Sequence, residues 1–208
     1  MKKVLCLTLS IFTLIISAAC AGKTVGNGVA KSASENNNVG GVNVANPKIE
    51  ISIKDYGVIQ LELDSTAAPI TVENFTKLVK EGFYTDLTFH RIISGFMIQG
   101  GDPNGDGTGG AKETIKGEFA SNGVPNPIKH ERGVISMARS MNPDSASSQF
   151  FIMHEDAPYL DGEYAAFGHV TSGIEVVDKI CANVPVQDRN GTVLKEDQPV
   201  IEYIKIIE

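Results

Sequence analysis

Cysteine is scarce in this 208-residue chain. Cys6 and Cys20 fall near the N-terminus, and Cys181 stands alone in the rest. After N-terminal processing no pair is left for an internal disulfide, and no CxxC metal or redox motif occurs, so the fold has to rest on its core. Basic residues are outnumbered, 18 Lys and Arg against 25 Asp and Glu, for a formal charge of −7. That balance argues against nucleic acid as a partner, because phosphate binding depends on Lys and Arg. It reads as the surface acidity that keeps a domain in solution. The four histidines, His90, His130, His154 and His169, show no metal-ligand spacing, and solvated or core roles are expected for each.

What is present begins with a leader. Met1-Lys2-Lys3 supplies a charged start, and Val4 to Ala19 is a short, mostly apolar run ending in small residues. This is the pattern of a signal peptide over residues 1–19; the run is short for a retained bilayer span. Ser17-Ala18-Ala19-Cys20 is similar to a bacterial lipobox, in which the cysteine is lipidated and becomes the mature N-terminus, although Ser17 stands where that motif usually carries Leu. Lipidation of Cys20 would tether the protein to the cell membrane on its extracytoplasmic side. Cleavage to a free secreted or periplasmic protein is the alternative. The remainder of residues 20–46 is rich in Gly, Asn and Ser without helical or strand period, and reads as a flexible tether spanning roughly 25–30 Å.

Residues 47–208 carry the folding signals. Ile49, Ile51 and Ile53 alternate with polar residues, Asp55-Tyr56-Gly57 turns the chain, and Ile59, Leu61 and Leu63 alternate back, which predicts a hairpin. After Pro69 the period lengthens: Val72, Phe75, Leu78 and Val79 share a helical face that Gly82 ends. Short strands are predicted at Leu87–Ile92, Phe96–Ile98, Val134–Met137, Gln149–Met153, Ala165–Val170 and Val200–Ile207. Ser172-Gly173-Ile174-Glu175 has the form of a capping box opening a second helix with Ile174, Val177 and Ile180 inward. Many short strands with long loops and two helices point to a mainly β fold, a closed antiparallel eight-stranded barrel capped by two helices.

The densest chemistry lies in Phe89-His90-Arg91-Ile92-Ile93-Ser94-Gly95-Phe96-Met97-Ile98-Gln99-Gly100-Gly101-Asp102. It holds one fixed cation, one amide and several large apolar side chains, with no hydrolytic nucleophile among them. Such a set suits a pocket that grips an apolar ring and donates a hydrogen bond without forming a covalent intermediate. The run resembles the central signature of cyclophilins, the peptidyl-prolyl cis-trans isomerases. Gly133-Val134-Ile135-Ser136-Met137-Ala138 leading to Ser148-Gln149-Phe150-Phe151-Ile152, and then Tyr159-Leu160-Asp161-Gly162 with Phe167-Gly168, extend the resemblance over Ile49 to Ile207 in order.

The resemblance implies a barrel of that family, activity on proline-containing polypeptides without a cofactor, and a monomer. It places Arg91, Phe96 and Gln99 at the catalytic positions. Arg91 would donate to the prolyl nitrogen as it pyramidalises, for its guanidinium is charged at any ordinary pH. Phe96, Met97, Phe151 and Leu160 would form the proline pocket. On pattern alone they read as plain core, and a flat strand would send Phe96 and Met97 to opposite faces, with Gly95 available to distort it. Gln99 and Gln149 would hold the substrate backbone, and Gly107 would shape the pocket's edge. Ala138-Arg139-Ser140 falls where the family pairs with an extended substrate, yet many relatives carry Ala-Asn-Ala there. Tyr159 and Tyr164 stand where many eukaryotic relatives have Trp and His; the loss of the indole donor implies weak cyclosporin binding. The rival reading is a peptide-holding chaperone or adaptor on the same fold with weak catalysis.

Two further motif matches are set aside. Asp102-x-Asn104-x-Asp106-Gly107 with Glu113 fits a calcium-loop pattern, but it follows a strand and a Gly-Gly, contains Pro103 and has Gly109 where an aliphatic residue usually sits. Gly105-x-Gly107-x-x-Gly110 fits a dinucleotide fingerprint, but acidic neighbours and the lack of a following helix oppose it. No metal is expected.

Overall fold

The computed structural model describes residues 46–207. The leader, Cys20 and the tether up to residue 45 lie outside the described residues. Asn46, placed in the tether by composition, is bonded to the domain: its amide donates to Glu62 Oε1 at 3.3 Å, and its Oδ1 accepts from Ser65 N–H at 3.1 Å.

Eight strands make one antiparallel sheet: β1 (Lys48–Ile53), β2 (Gly57–Leu63), β3 (Thr88–Ile93), β4 (Met97–Asp102), β5 (Val134–Met137), β6 (Phe150–Met153), β7 (Ala166–Ser172) and β8 (Ile201–Ile206). Their order across the sheet is β3-β4-β6-β5-β7-β2-β1-β8. The isoleucine hairpin forms as β1 and β2, with Ile51 opposite Ile59. The predicted strands all form, with ends shifted by a few residues. Closure is where the expectation fails. No ladder joins β3 to β8; the two edges meet only through an isolated bridge between Thr88 and Val200 and hydrogen bonds such as Ile201 N–H to Leu87 O. The sheet is a curled half-barrel, open along that seam.

Helix α1 (Pro69–Lys80) buries Val72, Phe75, Leu78 and Val79, the face read from the sequence, and packs against β8. Its start has no local side-chain cap. The buried Glu118 carboxylate supplies one from elsewhere, accepting from Ile70 N–H at 3.0 Å and Thr71 N–H at 2.8 Å, which satisfies orphan donors at the positive end of the helix. Helix α2 (Ile174–Asn183) turns Val176, Val177 and Ile180 inward and leaves Ile174 half-buried. The expected capping box does not form. Gly173, left-handed at φ +85°, takes the cap position, and the Ser172 hydroxyl donates to Gln60 Oε1 instead. A Ser side chain one residue too early cannot reach the first-turn donors.

Alternation along the strands sorts the apolar side chains into two clusters. Ile98, Ile135, Met137, Phe150, Ile152 and Phe167 face the main core, where Phe75, Tyr84, Phe89, Phe150 and Phe167 pack edge-on or tilted with centroids 5.1–5.9 Å apart. Met97, Val134, Phe151, Met153 and Ala166 face the other way and form a smaller cluster with Leu160. Of the residues read as either core or pocket wall, Met97, Phe151 and Leu160 are thus both, buried but in a layer of their own on the outer face of the sheet, with Phe96 half-buried against them.

A bulge at His90 makes this possible. Phe89 pairs with Gly100 and Arg91 with Gln99, so β3 spends one extra residue. Phe89 and Ile92 can then both enter the core while Arg91 points outward. Gly101 (φ +81°) continues the distortion, and a Cβ there would sit 2.5 Å from Ser148 O. Cys181 on α2 is half-buried, and burial pushes its thiol up to about 11, leaving it little thiolate at neutral pH.

Candidate active site

Strand register assembles the site. Arg91 on β3 lies opposite Gln99 on β4, Gln99 opposite Phe151 on β6, and Phe151 opposite Ser136 on β5. These four residues form one row across the outer face of the sheet. A slip of one residue in any pairing would send its members into the core.

Beside this row lies a cavity of about 340 Å³. Met97 (1% exposed), Phe151 (5%) and Leu160 (8%) make its floor and back. Phe96 forms a side wall. It sits in the turn before β4 and not on the strand, with Gly95 at φ +80°, and this break in pleat lets Phe96 and the adjacent Met97 line one pocket. Tyr159, in the 3₁₀ turn Pro158–Leu160, stands at the rim with its ring centroid 6.0 Å from that of Phe96 and is 69% exposed. Tyr164 packs edge-on against Phe151 at 5.8 Å.

Arg91 enters this cavity under restraint. Its Nε donates to Asn190 O at 2.8 Å and its Nη1 to Gln99 Oε1 at 3.2 Å. No carboxylate among the described residues pairs with it. Of the five N–H bonds of a guanidinium, these contacts engage two, so three remain for a ligand. The hydrogen bonds run on: Gln99 Nε2 donates to Gln149 Oε1 at 2.9 Å, and Gln149 Nε2 to the carbonyls of Gly107 and Gly109 at 3.1 and 2.7 Å. Both amides are therefore oriented by the protein itself.

A second, more polar cavity of about 240 Å³ adjoins the first and is reached past Gln99, Ala138 and Arg139, with Gly107, Ser140 and Gln149 on its walls. Arg139, the departure from the relatives' loop, separates the two. Its guanidinium lies over the rings of Phe119 and Tyr164, 4.9 and 4.8 Å from their centroids, and donates to Glu163 O and Ser140 O. Ser140 closes the loop on itself through Ser145. Every site residue expected within the described part of the chain lines one of the two cavities.

Three residues behind the pocket were not singled out from the sequence. His130 stacks on Phe151 with centroids 6.1 Å apart; its Nε2 meets the Ser136 hydroxyl at 3.1 Å and its Nδ1 the Asp161 carboxylate at 3.1 Å. This Ser-His-Asp order invites a nucleophile reading, but Ser136 is fully buried and no substrate carbonyl can reach it. The trio is a brace for Phe151. Burial holds the His130 imidazole below its ordinary range, with Asp161 opposing. The only sequence signal was a buried-strand Ser six residues after a lone His, with Asp161 31 positions from that His.

The calcium-like loop is self-satisfied. Asp102 accepts from the backbone N–H groups of Asn104, Asp106 and Gly107, and no three acidic, His or Cys side chains gather to hold a metal among the described residues. His90 is buried nearby with neither ring nitrogen hydrogen-bonded; desolvation holds it below its ordinary range, opposed by Asp102.

Comparison with known proteins shows the family. The family model described as cyclophilin type peptidyl-prolyl cis-trans isomerase/CLD matches residues 48–208. Peptidyl-prolyl cis-trans isomerase B of Bacillus subtilis (strain 168) is 48% identical over 144 residues, covering 69% of this chain and 92% of that protein. A peptidyl-prolyl cis-trans isomerase of Helicobacter pylori (strain ATCC 700392 / 26695) is 52% identical over 126 residues, covering 60% of this chain and 74% of that one. Among solved structures, a Cryptosporidium parvum cyclophilin type peptidyl-prolyl cis-trans isomerase crystallised in the presence of the dipeptide ala-pro superposes with a TM-score of 0.68 at 33% identity, over 77% of this chain and 99% of that one.

Proposed function

The chain belongs to the cyclophilin-type peptidyl-prolyl cis-trans isomerases and is an enzyme of that kind; from that premise we propose that it catalyses rotation about X-Pro bonds in polypeptides outside the cytoplasm and so assists their folding. One observation carries the catalytic assignment: a guanidinium without a carboxylate partner, Arg91, is held by Gln99 and Asn190 beside a cavity of about 340 Å³ walled by Phe96, Met97, Phe151 and Leu160.

The chemistry follows from the bond. Amide resonance opposes rotation by ~18–20 kcal/mol, and uncatalysed X-Pro exchange takes tens to hundreds of seconds. The barrier falls when the prolyl nitrogen leaves conjugation and its lone pair is stabilised. Phe96, Met97, Phe151 and Leu160 grip the ring, Gln99 and Gln149 orient the flanking backbone, and a free N–H of Arg91 donates to the nitrogen as it pyramidalises. Ala138, Arg139, Ser140 and Gly107 border the extended chain, and Tyr159 and Tyr164 form the rim. The acceleration comes from binding the twisted peptide better than the planar one, with no covalent step and no cofactor.

Location follows from the leader and Cys20: a lipid-anchored protein on the outer side of the cell membrane, a monomer with proline-containing polypeptides as partners and no nucleic acid. The test of the catalytic reading is a protease-coupled assay on a short X-Pro peptide. Acceleration of the slow phase at catalytic protein concentrations supports it, and an unchanged slow phase rejects it.

A further inference from the structure

Three elements meet at His154, the residue that follows β6. Its backbone N–H donates to Phe96 O at 2.9 Å, and its Nδ1 lies 2.8 Å from the backbone nitrogen of Gly95. On the other side of the ring, Nε2 lies 3.2 Å from Asp178 Oδ1 on α2. Asp178 is itself gripped by Arg132, whose Nη2 is 2.8 Å from each carboxylate oxygen and whose Nη1 donates to the His154 carbonyl at 2.6 Å. The turn so held is otherwise weakly secured. Ser94 and Gly95 are exposed, and the further backbone bonds on it are Phe96 N–H to Ile93 O at 3.0 Å and a long one from Glu155 N–H to Phe96 O at 3.4 Å.

A backbone N–H can only donate, so Nδ1 must be the bare acceptor and the ring's proton must sit on Nε2, towards Asp178. A second proton, on Nδ1, would set two donors against each other and break the bond to Gly95. The ring is therefore a contact set by its tautomer, and it acts on the turn that aims Phe96.

We propose that His154 is the positioning residue of the pocket: by accepting the Gly95 N–H through Nδ1 it fixes the turn that presents Phe96 to the prolyl ring. The effect on turnover rests on the isomerase reading, whereas the clamp itself does not.

Two variants of the full chain separate the two sides of the ring. His154→Asn places an amide oxygen near the position of Nδ1 and keeps the acceptor for Gly95. His154→Gln reaches instead towards Asp178 and leaves Gly95 without a partner. The readouts are the Gly95 amide resonance by ¹⁵N NMR and kcat/KM on a short proline peptide. The Gln variant is expected to shift the Gly95 amide and lower kcat/KM about three- to tenfold, the equivalent of one lost hydrogen bond, while Asn restores both. In the wild type and in His154→Asn the Gly95 amide is protected from exchange with solvent, and in His154→Gln it is not. A wild-type Gly95 amide that exchanges as fast as an unstructured one overturns the clamp even if a variant fails to fold, and equal turnover in the Asn and Gln variants overturns its role in positioning. A wild type whose Gly95 amide is protected yet has no isomerase activity would overturn the functional reading alone.

Discussion

Arg91 Nη1 donates to Gln99 Oε1 at 3.2 Å, and the two residues face each other directly across β3 and β4. The contact is not an ion pair, so it aims the guanidinium without neutralising it. If that charge serves a lone pair that develops only in the twisted peptide, as proposed, Arg91→Ala should lower turnover on a short proline peptide by about 10²–10³ while peptide affinity changes little. Turnover and affinity falling together would mean that Arg91 merely binds.

Gln149 stands next in the same chain of donors. Gln149→Leu removes the acceptor for Gln99 Nε2 and frees the Gly107–Gly109 loop, which Gln149 holds through two carbonyls. Loss of a hydrogen-bonded amide of this kind is worth ~1 kcal/mol, so kcat/KM should drop by about five- to tenfold, and more for peptides long enough to reach the second cavity. A drop confined to dipeptide-sized substrates would place Gln149 outside the substrate path.

Much of this site was legible in the sequence through the resemblance of its motifs, since on pattern alone Phe96, Met97, Phe151 and Leu160 read as plain core. Strand pairing then sets Arg91, Gln99 and Phe151 in one row, with Arg91 turned outward by a break in the alternation of β3. The bulge at His90 was not legible: alternation from Phe89 to Ile92 gives no sign that one residue is spent without a partner. Nor was the Glu118 cap of α1, since it arrives from 47 positions along the chain. The closed barrel was expected from strand count, but closure depends on whether β3 and β8 run alongside each other, and only their ends meet. His130, Ser136 and Asp161 share the same obscurity: each looks ordinary alone, and only tertiary packing joins them.

The anchor makes a prediction independent of the fold. If Cys20 is lipidated, the protein partitions with membranes, and Cys20→Ser releases it or stalls its processing. Mass spectrometry of the mature N-terminus decides: an unmodified N-terminus at Ala21 or later removes the lipoprotein assignment.

Tyr159 bears on inhibition. An indole offers an N–H fixed at the ring edge, while a phenol places its hydroxyl elsewhere, so a ligand carbonyl that uses the indole loses its partner here. Loss of that bond costs about 1–3 kcal/mol, or roughly one to two decades in affinity. Cyclosporin should therefore inhibit more weakly than it does Trp-bearing relatives, and Tyr159→Trp should recover affinity with little change in peptide turnover, because Tyr159 is 69% exposed at the rim and not in the pocket floor. Equal inhibition of the wild type and the Trp variant would remove this position from drug binding.

Acid should destabilise the fold before any carboxylate titrates. His90 and His130 are both buried, and desolvation holds both imidazoles below the ordinary histidine range, with Asp102 and Asp161 respectively opposing. The unfolded chain therefore takes up protons that the folded chain refuses as pH falls below ~6.5. Stability rises with pH wherever the unfolded state binds more protons, so it must fall on acidification from about pH 6.5 towards the depressed folded values. Carboxylates held low, Asp161 among them, lose their contribution only further down. Urea midpoints should thus be flat above neutrality and decline as pH falls below ~6.5. His90→Leu should make that decline shallower and leave neutral-pH stability unchanged or improved, since it removes two ring nitrogens that have no hydrogen-bond partner. A decline of the same slope in the variant would assign the acid sensitivity to other groups, with His130 against Asp161 and Ser136 the next to test.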